Sequence, residues 1–243
     1  LIDASTYHRT NKEWTYGFPE LNVTQRSKIT ESNRVAVPGC HATGFISLVT
    51  PLISLGIVQK DYPFTCHSIT GYSGGGKSMI SQYESDSRAQ DIDSPRQYGL
   101  SMNHKHLPEM KFITGVEYAP VFHPIVSDYY SGMLFTTTLH GRILNKKVNP
   151  EEIRQVYSKY YEEQPLIQIR KTEENPADGF VSANALTETD GLEIFVSGNE
   201  EQIVLMARYD NLGKGASGAA VQCMNIMLNL PESKGLATES GRK

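Results

Sequence analysis

The chain has 243 residues, of which 39% are hydrophobic and 21% charged, a composition typical of a globular protein with a sizeable core. Its formal net charge of −4 offers no basic surface for nucleic acid or anionic lipid, and its longest apolar stretch, 44–58, is too short and too often interrupted to span a bilayer. The three cysteines are widely spaced, without a C-x-x-C pair or a recognisable signal peptide, and this predicts reduced thiols in the cytoplasm.

The N-terminal stretch is predicted to hold two short strands separated by a polar surface loop. Residues 1–5 resemble the interior of a buried strand, so we expect further chain to precede Leu1. Residues 6–33 are polar and rich in turn formers, which favours a loop, and residues 34–37 form the second strand.

A helix is predicted over 42–55, directly after Cys40. Apolar side chains recur on one side of it, Pro51 is expected to bend it, and Gly56 is a typical residue to follow its end. A cysteine in the first turn of a helix meets unpaired backbone N–H groups and the positive end of the helix dipole, both of which stabilise a thiolate. We therefore expect Cys40 to be a nucleophile with a lowered pKa; the alternative is a small buried core residue.

The middle of the chain alternates predicted strands with polar segments. A strand over 64–70 leads into a glycine cluster, and residues 81–100 are polar and irregular, which indicates a mobile excursion or lid. Further strands are predicted over 111–118 and 133–139.

The C-terminal part is predicted to return to strands before a last helix. Asn149-Pro150 is a helix start, with an Asn cap and proline in the first position. Strands are then expected over 166–170, 192–197 and 202–209, with a hairpin turn at 198–201 between the last two. A helix is expected over 211–228, and disorder is expected after Pro231.

Residues 71–78 match the P-loop pattern G-x-x-x-x-G-K-[ST] and follow a predicted strand. A nucleotide phosphotransferase is therefore one functional alternative. However, a P-loop strand is almost wholly apolar, whereas residues 64–70 are mostly polar. A glycine-rich turn without a ligand is the other alternative.

Residues 213–218 match the dinucleotide fingerprint G-x-G-x-x-G between a strand and a helix. Only the 25 residues 219–243 follow, too few for the rest of a dinucleotide-binding unit. Close helix packing through small residues is the better explanation.

Two histidines and an acid lie close together at His104, His106 and Glu109. They lack the accompanying ligands of a zinc site, so no metal is expected. A cysteine nucleophile needs an acid/base partner, and either histidine could serve, with Glu109 orienting it.

Taken in order, the motifs resemble those of the N-acetyl-gamma-glutamyl-phosphate reductases over Leu1 to about Leu230. The matching motifs are Asp3-x-Ser5-x-x-x-Arg9, Tyr16-Gly17-Phe18-Pro19-Glu20, Pro38-Gly39-Cys40-x-Ala42-Thr43, Ser73-Gly74-Gly75-Gly76-Lys77, His104-x-His106-x-Pro108-Glu109 and Asn211-Leu212-Gly213-Lys214-Gly215-Ala216.

The resemblance implies an α/β and α+β architecture similar to aspartate-semialdehyde and glyceraldehyde-phosphate dehydrogenases. Residues 1–39 would end an NADP-binding Rossmann domain, and 40–210 would form a catalytic and oligomerisation domain with a mixed, largely antiparallel sheet. Residues 211–230 would be a helix packing back on the Rossmann domain, and 231–243 a tail.

The resemblance also implies a reaction, in which Cys40 attacks an acyl phosphate, a thioester forms and NADPH reduces it to a semialdehyde in arginine biosynthesis. His104 or His106 would be the acid/base, with Glu109 in the same site. Cofactor contacts would be Ser73, Gly74 and Asn211, substrate contacts Arg9 and Ser5, and the assembly a homodimer or homotetramer.

Two departures from the family pattern bear on these expectations. The glycine-rich pyrophosphate-binding unit is absent from 1–243, and at roughly 30 residues per βαβ unit two or three units are missing; this stretch alone should bind NADP poorly. Residues 122–133 lack the family's Arg-Gly, so no arginine contact is expected there. N-succinyl-glutamyl and N-acetyl-aminoadipyl phosphates remain alternative substrates.

Overall fold

Short apolar stretches near the N-terminus form a small parallel sheet. The computed structural model describes residues 1–171 and 179–238. In it, strands β1 (Ile2–Asp3), β2 (Thr15–Tyr16) and β3 (Val35–Ala36) lie in the order β1-β3-β2, with both pairings parallel. Helix α1 (Gln25–Glu31) precedes β3 and lies inside a stretch predicted to be a loop. The only apolar side chain that α1 buries is Ile29, and one apolar residue is too weak a pattern to predict a helix.

The large sheet has seven strands in the order β5-β6-β4-β7-β10-β9-β8 among the described residues. Its strands are β4 (Thr65–Gly71), β5 (Arg96–Gln97), β6 (Val121–Ser127), β7 (Met133–His140), β8 (Ile167–Ile169), β9 (Leu192–Gly198) and β10 (Gln202–Tyr209). Only the β4–β6 and β8–β9 pairings are parallel. The prediction of a mixed, largely antiparallel sheet is therefore confirmed.

Helix α2 (Cys40–Ser54) packs against β7, β10 and a short helix, α4 (Leu107–Thr114). Its apolar side chains, among them Phe45, Leu48 and Leu52, are fully buried in the main core. This packing fixes the first turn of α2, and hence Cys40, over the ends of β7 and β10.

The other helices are α3 (Gly76–Tyr83), α5 (Pro150–Tyr160) and α6 (Gly218–Met227). The predicted start of α5 is confirmed by a capping box: the Asn149 side chain accepts a hydrogen bond from the Glu152 N–H, and Glu152 accepts one from the Asn149 N–H. Helix α6 packs against α1 and β1.

The strand predicted over 111–118 is wrong, because this region belongs to α4. Pro108 lies in the first turn of this helix, and Gly115, with φ of +72°, ends it. The apolar residues alternate here as they would in a strand, so the sequence pattern did not indicate the helix. The strand that follows α4 is β6, which begins at Val121 and pairs in parallel with β4.

Two segments, 81–100, predicted to be a mobile excursion, and the tail after Pro231, predicted to be disordered, make defined contacts with the rest of the fold. Within 81–100, Arg88 forms ion pairs with Asp93 at 2.6 Å and Asp128 at 2.8 Å. After Pro231, the Asn225 side chain donates to two tail carbonyls and the Ala237 N–H donates to Asp190. The last residues of the predicted tail, 239–243, lie outside the described residues.

Among the described helices, none has the length and apolar character needed to cross a membrane.

Candidate active site

Cys40 is the first residue of α2, as the sequence predicts. Gly39 before it is extended, with φ of −74° and ψ of 145°, and its carbonyl accepts the first helical hydrogen bonds, from the Thr43 N–H and hydroxyl. The Tyr209 hydroxyl, at the end of β10, donates to the Cys40 carbonyl at 2.7 Å. The turn that presents the thiol is thus held from the helix and from the sheet.

A cavity of about 340 Å³ opens beside Cys40. Its lining combines most of the residues that the sequence singled out with several that it did not: Ala4, Arg9, Val37, Pro38, Cys40, His41, Thr70, Gly71, Ser73, Gly74, Gly75, Gly76, Met79, Tyr98, His104, Lys105, His106, Val126, Asn211, Leu212, Gly215 and Ala216. Side chains from both ends of the sequence meet here, which is typical of a small-molecule site.

Burial raises the pKa of the Cys40 thiol to about 11, against the lowering effects of the His41 N–H, the Arg9 guanidinium and the Lys105 ammonium. The direction is opposite to the lowered pKa expected from the helix start, because desolvation outweighs the helix terminus. Burial raises the pKa of Cys223 to about 12 and that of Cys66 further still. Cys40 is nevertheless the most acidic of the three thiols.

Three histidine rings surround the thiol side of the cavity. The ring centroids of His41 and His104 are 5.2 Å apart, those of His41 and His106 5.5 Å, and those of His104 and His106 4.8 Å. Burial lowers the pKa of all three, to about 3 for His41 and about 4 for His104, and further for His106. All three rings are therefore neutral at pH 7.

His41 is a member of this cluster that the sequence analysis did not select. Its Nδ1 lies 2.6 Å from the Ser68 hydroxyl and its Nε2 lies 2.8 Å from the Tyr98 hydroxyl. Its position next to Cys40 was the only sequence signal for it, and nothing local marked Ser68 or Tyr98. Lys105, which adds a cation to the cavity wall, was missed as well.

Glu109 lies beside the turn before Cys40, and its hydrogen bonds within the described residues go to Arg9, Tyr16 and Gly39 rather than to a histidine. Its Oε1 accepts hydrogen bonds from the Tyr16 hydroxyl at 2.6 Å and the Gly39 N–H at 2.8 Å, and its Oε2 pairs with Arg9 at 3.2 Å. The structure therefore corrects the predicted role: Glu109 orients the turn before Cys40 rather than an imidazole. Burial raises its pKa, against the lowering effect of Arg9 and of these hydrogen bonds.

Of the two predicted substrate contacts, only Arg9 reaches the cavity wall. Its Nε donates to the Val37 carbonyl at 2.9 Å and its Nη2 to the Ala4 carbonyl at 2.8 Å, so its position is fixed. The Ser5 hydroxyl instead donates to Asp3 at 2.6 Å, and Ser5 lies outside the cavity lining. We do not retain Ser5 as a substrate contact.

The predicted cofactor contacts converge on the other side of the cavity. The Asn211 side-chain amide donates to the Ser73 hydroxyl at 3.0 Å and accepts from the Gly132 N–H at 2.8 Å. Ser73 and Gly74 lie in a 3₁₀ turn between β4 and α3. A side-chain amide has two donor hydrogens, so Asn211 retains one for a ligand carbonyl.

The two glycine-rich motifs have different outcomes. Residues 71–76 line the cavity except for Tyr72, whereas Lys77, the lysine of the P-loop match, is exposed and lies outside the lining. Residues 213–217 form a π-helical turn at the start of α6, and Gly213 and Gly218 approach Thr189 and Asp190 so closely that neither has room for a side chain. In the described part of the chain, no group of three or more His, Cys, Asp or Glu side chains is placed to hold a metal ion.

Comparisons of the sequence with known proteins agree on the family to which the relatives belong. Residues 40–211 match the family model of the semialdehyde dehydrogenase dimerisation domain. The chain is 43% identical to N-acetyl-gamma-glutamyl-phosphate reductase 2 of Nostoc sp. over 245 residues, covering 97% of this chain and 76% of the relative. It is 40% identical to the N-acetyl-gamma-glutamyl-phosphate reductase of Rhizobium meliloti over 232 residues, covering 94% and 75%.

Solved structures share the fold at low sequence identity. Aspartate semialdehyde dehydrogenase II from Vibrio cholerae superposes with a TM-score of 0.70 at 15% identity, covering 94% of this chain and 72% of that one. Aspartate semialdehyde dehydrogenase from Francisella tularensis gives 0.69 at 14% identity, covering 93% and 74%. These likenesses show the fold.

Proposed function

The chain belongs to the N-acetyl-gamma-glutamyl-phosphate reductase family, and from this premise we propose that it reduces N-acetyl-gamma-glutamyl phosphate to N-acetylglutamate 5-semialdehyde through a thioester on Cys40. The family is one of acyl-phosphate-reducing oxidoreductases of arginine biosynthesis. The observation that carries the mechanism is a cysteine at a helix start, lining a cavity with neutral histidines and two cations.

The first step is attack of the Cys40 sulfur on the acyl carbon, which breaks the acyl C–O bond, expels phosphate and leaves the thioester; it requires a base. Because burial holds the pKa of the thiol at about 11, the thiol proton must pass to a neighbouring group as the S–C bond forms. We assign this role to His106. Its Nε2 lies so close to Gly39, the residue before Cys40, that a Cβ there would be 2.6 Å away.

The same imidazole can return the proton when the thioester has been reduced and the C–S bond breaks. His104 is the second candidate, but its Nδ1 already accepts the His106 backbone N–H at 3.2 Å. Replacing each histidine by Asn distinguishes the two candidate bases. The value of kcat should fall at least about 100-fold for His106→Asn, as expected for loss of a general base, and less for His104→Asn. A larger loss for His104→Asn would reverse the assignment.

Arg9 and Lys105 supply positive charge where an acyl phosphate would place its anionic group. Arg9 is held by three protein acceptors, so it offers a fixed cation, whereas Lys105 is exposed and adaptable. A guanidinium matches a phosphate or carboxylate in two parallel hydrogen bonds. We propose that these two side chains bind the substrate's anionic groups.

Dehydrogenases of this family use a nicotinamide cofactor, and we propose NADPH. The residues present fit its nicotinamide end: the Asn211 amide, held by Ser73, turns a donor toward the cavity, and Gly74 adds no side chain beside it. When bound, the cofactor supplies the hydride that reduces the thioester. Asn211 and Ser73 would hold the carboxamide of the nicotinamide in the cavity that Cys40 lines.

The test is reduction of NADP⁺ by the full-length protein with N-acetylglutamate 5-semialdehyde and phosphate. Phosphate-dependent NADPH formation, lost in Cys40→Ser, is the expected result, and its absence in the folded protein would overturn the proposal. Values of kcat/KM for the N-succinyl and N-acetyl-aminoadipyl analogues identify the substrate, and values of kcat/KM with NAD⁺ test the choice of cofactor.

The protein acts on a small molecule and assembles as an oligomer, in keeping with the dimerisation domain matched by residues 40–211. We propose a homodimer or homotetramer. A cytoplasmic location fits the three free cysteines.

A further inference from the structure

Lys214 is a lysine with no exposed side-chain surface. Its Nζ donates to Glu20 Oε1 at 2.6 Å and to Gln222 Oε1 at 2.6 Å, and lies 5.4 Å from the centre of the Phe18 ring. Lysine is almost never fully buried unless it is paired, because an ammonium loses its hydration on burial. Such a group is retained only where its contacts serve the fold or the site.

The contacts of Lys214 extend into a polar network that joins four parts of the chain. The Gln222 side chain, in α6, donates to Glu20 Oε1 at 2.7 Å and to Glu232 Oε1 at 2.6 Å. Glu232, in the tail, receives two hydrogen bonds of 2.8 Å from Arg26 in α1. The network therefore contains two cations, Lys214 and Arg26, and two carboxylates, Glu20 and Glu232, so its charges cancel. Lys214 is the member nearest the active site.

Lys214 belongs to the π-helical turn Gly213–Ser217, which forms part of the wall beside Cys40. A Cβ on Gly215 would lie 3.1 Å from the Cys40 Cβ, so the backbone of this turn packs directly against the nucleophile. Leu212, Gly215 and Ala216 line the cavity. π-Helical turns are rare and occur often at functional sites, since their geometry needs support from the surroundings.

We propose that Lys214 is a positioning residue: its hydrogen bonds to Glu20 and Gln222 hold the π-helical turn against Cys40 and so fix where the sulfur lies. The part of this inference that concerns turnover rests on the proposed function. Without the ammonium, Glu20 is left as an unpaired buried carboxylate, and its Oε2 already has no partner among the described residues. The turn is then free to move away from Cys40.

The test uses Lys214→Met in the full-length protein, with Lys60→Met, at an exposed position, as the matched control. We expect kcat to fall at least tenfold while KM for the acyl phosphate stays within threefold, because the turn positions the sulfur and contributes no charged group to the substrate. Lys60→Met should behave as wild type. A folded Lys214→Met with kcat within threefold of wild type, or one that loses efficiency through KM alone, would overturn the proposal.

A second readout does not depend on turnover. Iodoacetamide should alkylate Cys40 at least threefold faster in Lys214→Met, because the Gly215 backbone no longer covers it, whereas buried Cys66 should be unchanged. If wild type shows no reductase activity but Cys40 alone changes reactivity, the proposed function fails and the positioning role stands. Unchanged Cys40 alkylation would overturn the positioning role even if kcat fell.

The double variant Glu20→Gln/Lys214→Met guards against a simple folding defect. It removes both charges, so no unpaired buried carboxylate remains. If Lys214→Met does not fold, the double variant is judged by the same kcat, KM and alkylation criteria. Loss of fold in both would overturn the proposal, because the network would then be needed for folding rather than for placing Cys40.

Discussion

Glu109 Oε1 lies 2.8 Å from the backbone nitrogen of Gly39, a residue 70 positions earlier in the chain. The carboxylate of α4 thereby holds the turn from which Cys40 enters α2. Gly39 also has no room for a side chain, since a Cβ would lie 2.5 Å from Arg9 Nη1 and 2.6 Å from His106 Nε2. The nucleophile's position thus depends on a close approach of three chain segments.

We expect Glu109→Gln to destabilise the protein and to lower kcat. The amide keeps an acceptor for Gly39 and Tyr16, but it leaves the buried Arg9 guanidinium without its counter-charge. Breaking a buried pair in this way costs about 3–5 kcal/mol. Urea unfolding measures the loss, with Glu117→Gln, at an exposed position, as control. A loss below about 1 kcal/mol would show that the pair contributes little.

Cys40→Ser should lower turnover by at least about 10³-fold, as expected when a covalent nucleophile is removed. A serine hydroxyl is far less acidic than a thiol, and the neutral histidines do not compensate. Cys223→Ser is the matched control, because the Cys223 thiol donates to the Gly17 carbonyl at 3.3 Å and a hydroxyl can do the same. Substantial residual reduction by Cys40→Ser would rule out the thioester.

Lys77→Ala should leave kcat and KM within twofold of wild type. Lys77 is exposed at the start of α3 and lies outside the cavity lining, although it completes the P-loop pattern of residues 71–78. A P-loop lysine binds the β- and γ-phosphates of a nucleotide, and its loss would abolish activity. Steady-state kinetics of the purified variant decide between these outcomes.

Local pattern was sufficient for much of the fold and for the position of Cys40 at a helix start. Cys40 was recognisable from the strand–Pro–Gly–Cys–helix sequence, and the start of α5 from Asn149-Pro150, since both depend on neighbouring residues only. Helix α4 was mistaken for a strand because a two-turn helix carries too few residues to show its period. The sheet's strand order depends on pairings between distant segments and was not predicted; the family resemblance implied only that the sheet is mixed and largely antiparallel.

The contacts around Cys40 could not be predicted from the sequence, because they join distant segments. The Glu109–Gly39 and Lys214–Glu20 hydrogen bonds span 70 and 194 positions. The thiol pKa is the clearest case: a helix start predicts a decrease, but burial in the assembled site dominates and raises it. Desolvation is a property of the whole fold.

Alkylation of Cys40 should rise about tenfold per pH unit between pH 7 and 10, because burial holds the pKa of its thiol near 11 and only the thiolate reacts. Cys40 should still react faster than Cys66 and Cys223, which are buried more completely. Peptide mapping after iodoacetamide treatment gives the three rates. A plateau for Cys40 below pH 8 would indicate the lowered pKa that the helix start alone predicts.

His41 should make the protein less stable in acid, and His41→Gln should reduce this effect. Burial lowers the pKa of His41 from 6.5 to about 3, so below pH 6.5 the unfolded chain takes up a proton that the folded chain refuses. The stability contributed by the neutral ring is complete above pH 6.5 and is lost as the pH falls toward 3. At pH 5 the loss amounts to about 2 kcal/mol.

Glutamine does not titrate, and its amide can still bond to the Tyr98 hydroxyl, which lies 2.8 Å from His41 Nε2. The free energy of unfolding of both proteins, measured in urea at pH 7.5 and pH 5, gives the test. Acidification should cost the wild type about 2 kcal/mol more than the variant, since all other titrating groups are common to the two. Equal losses would mean that His41 takes up a proton in the folded protein as readily as in the unfolded chain. The neutral histidine cluster assigned to the active site would then lose one of its two buried members.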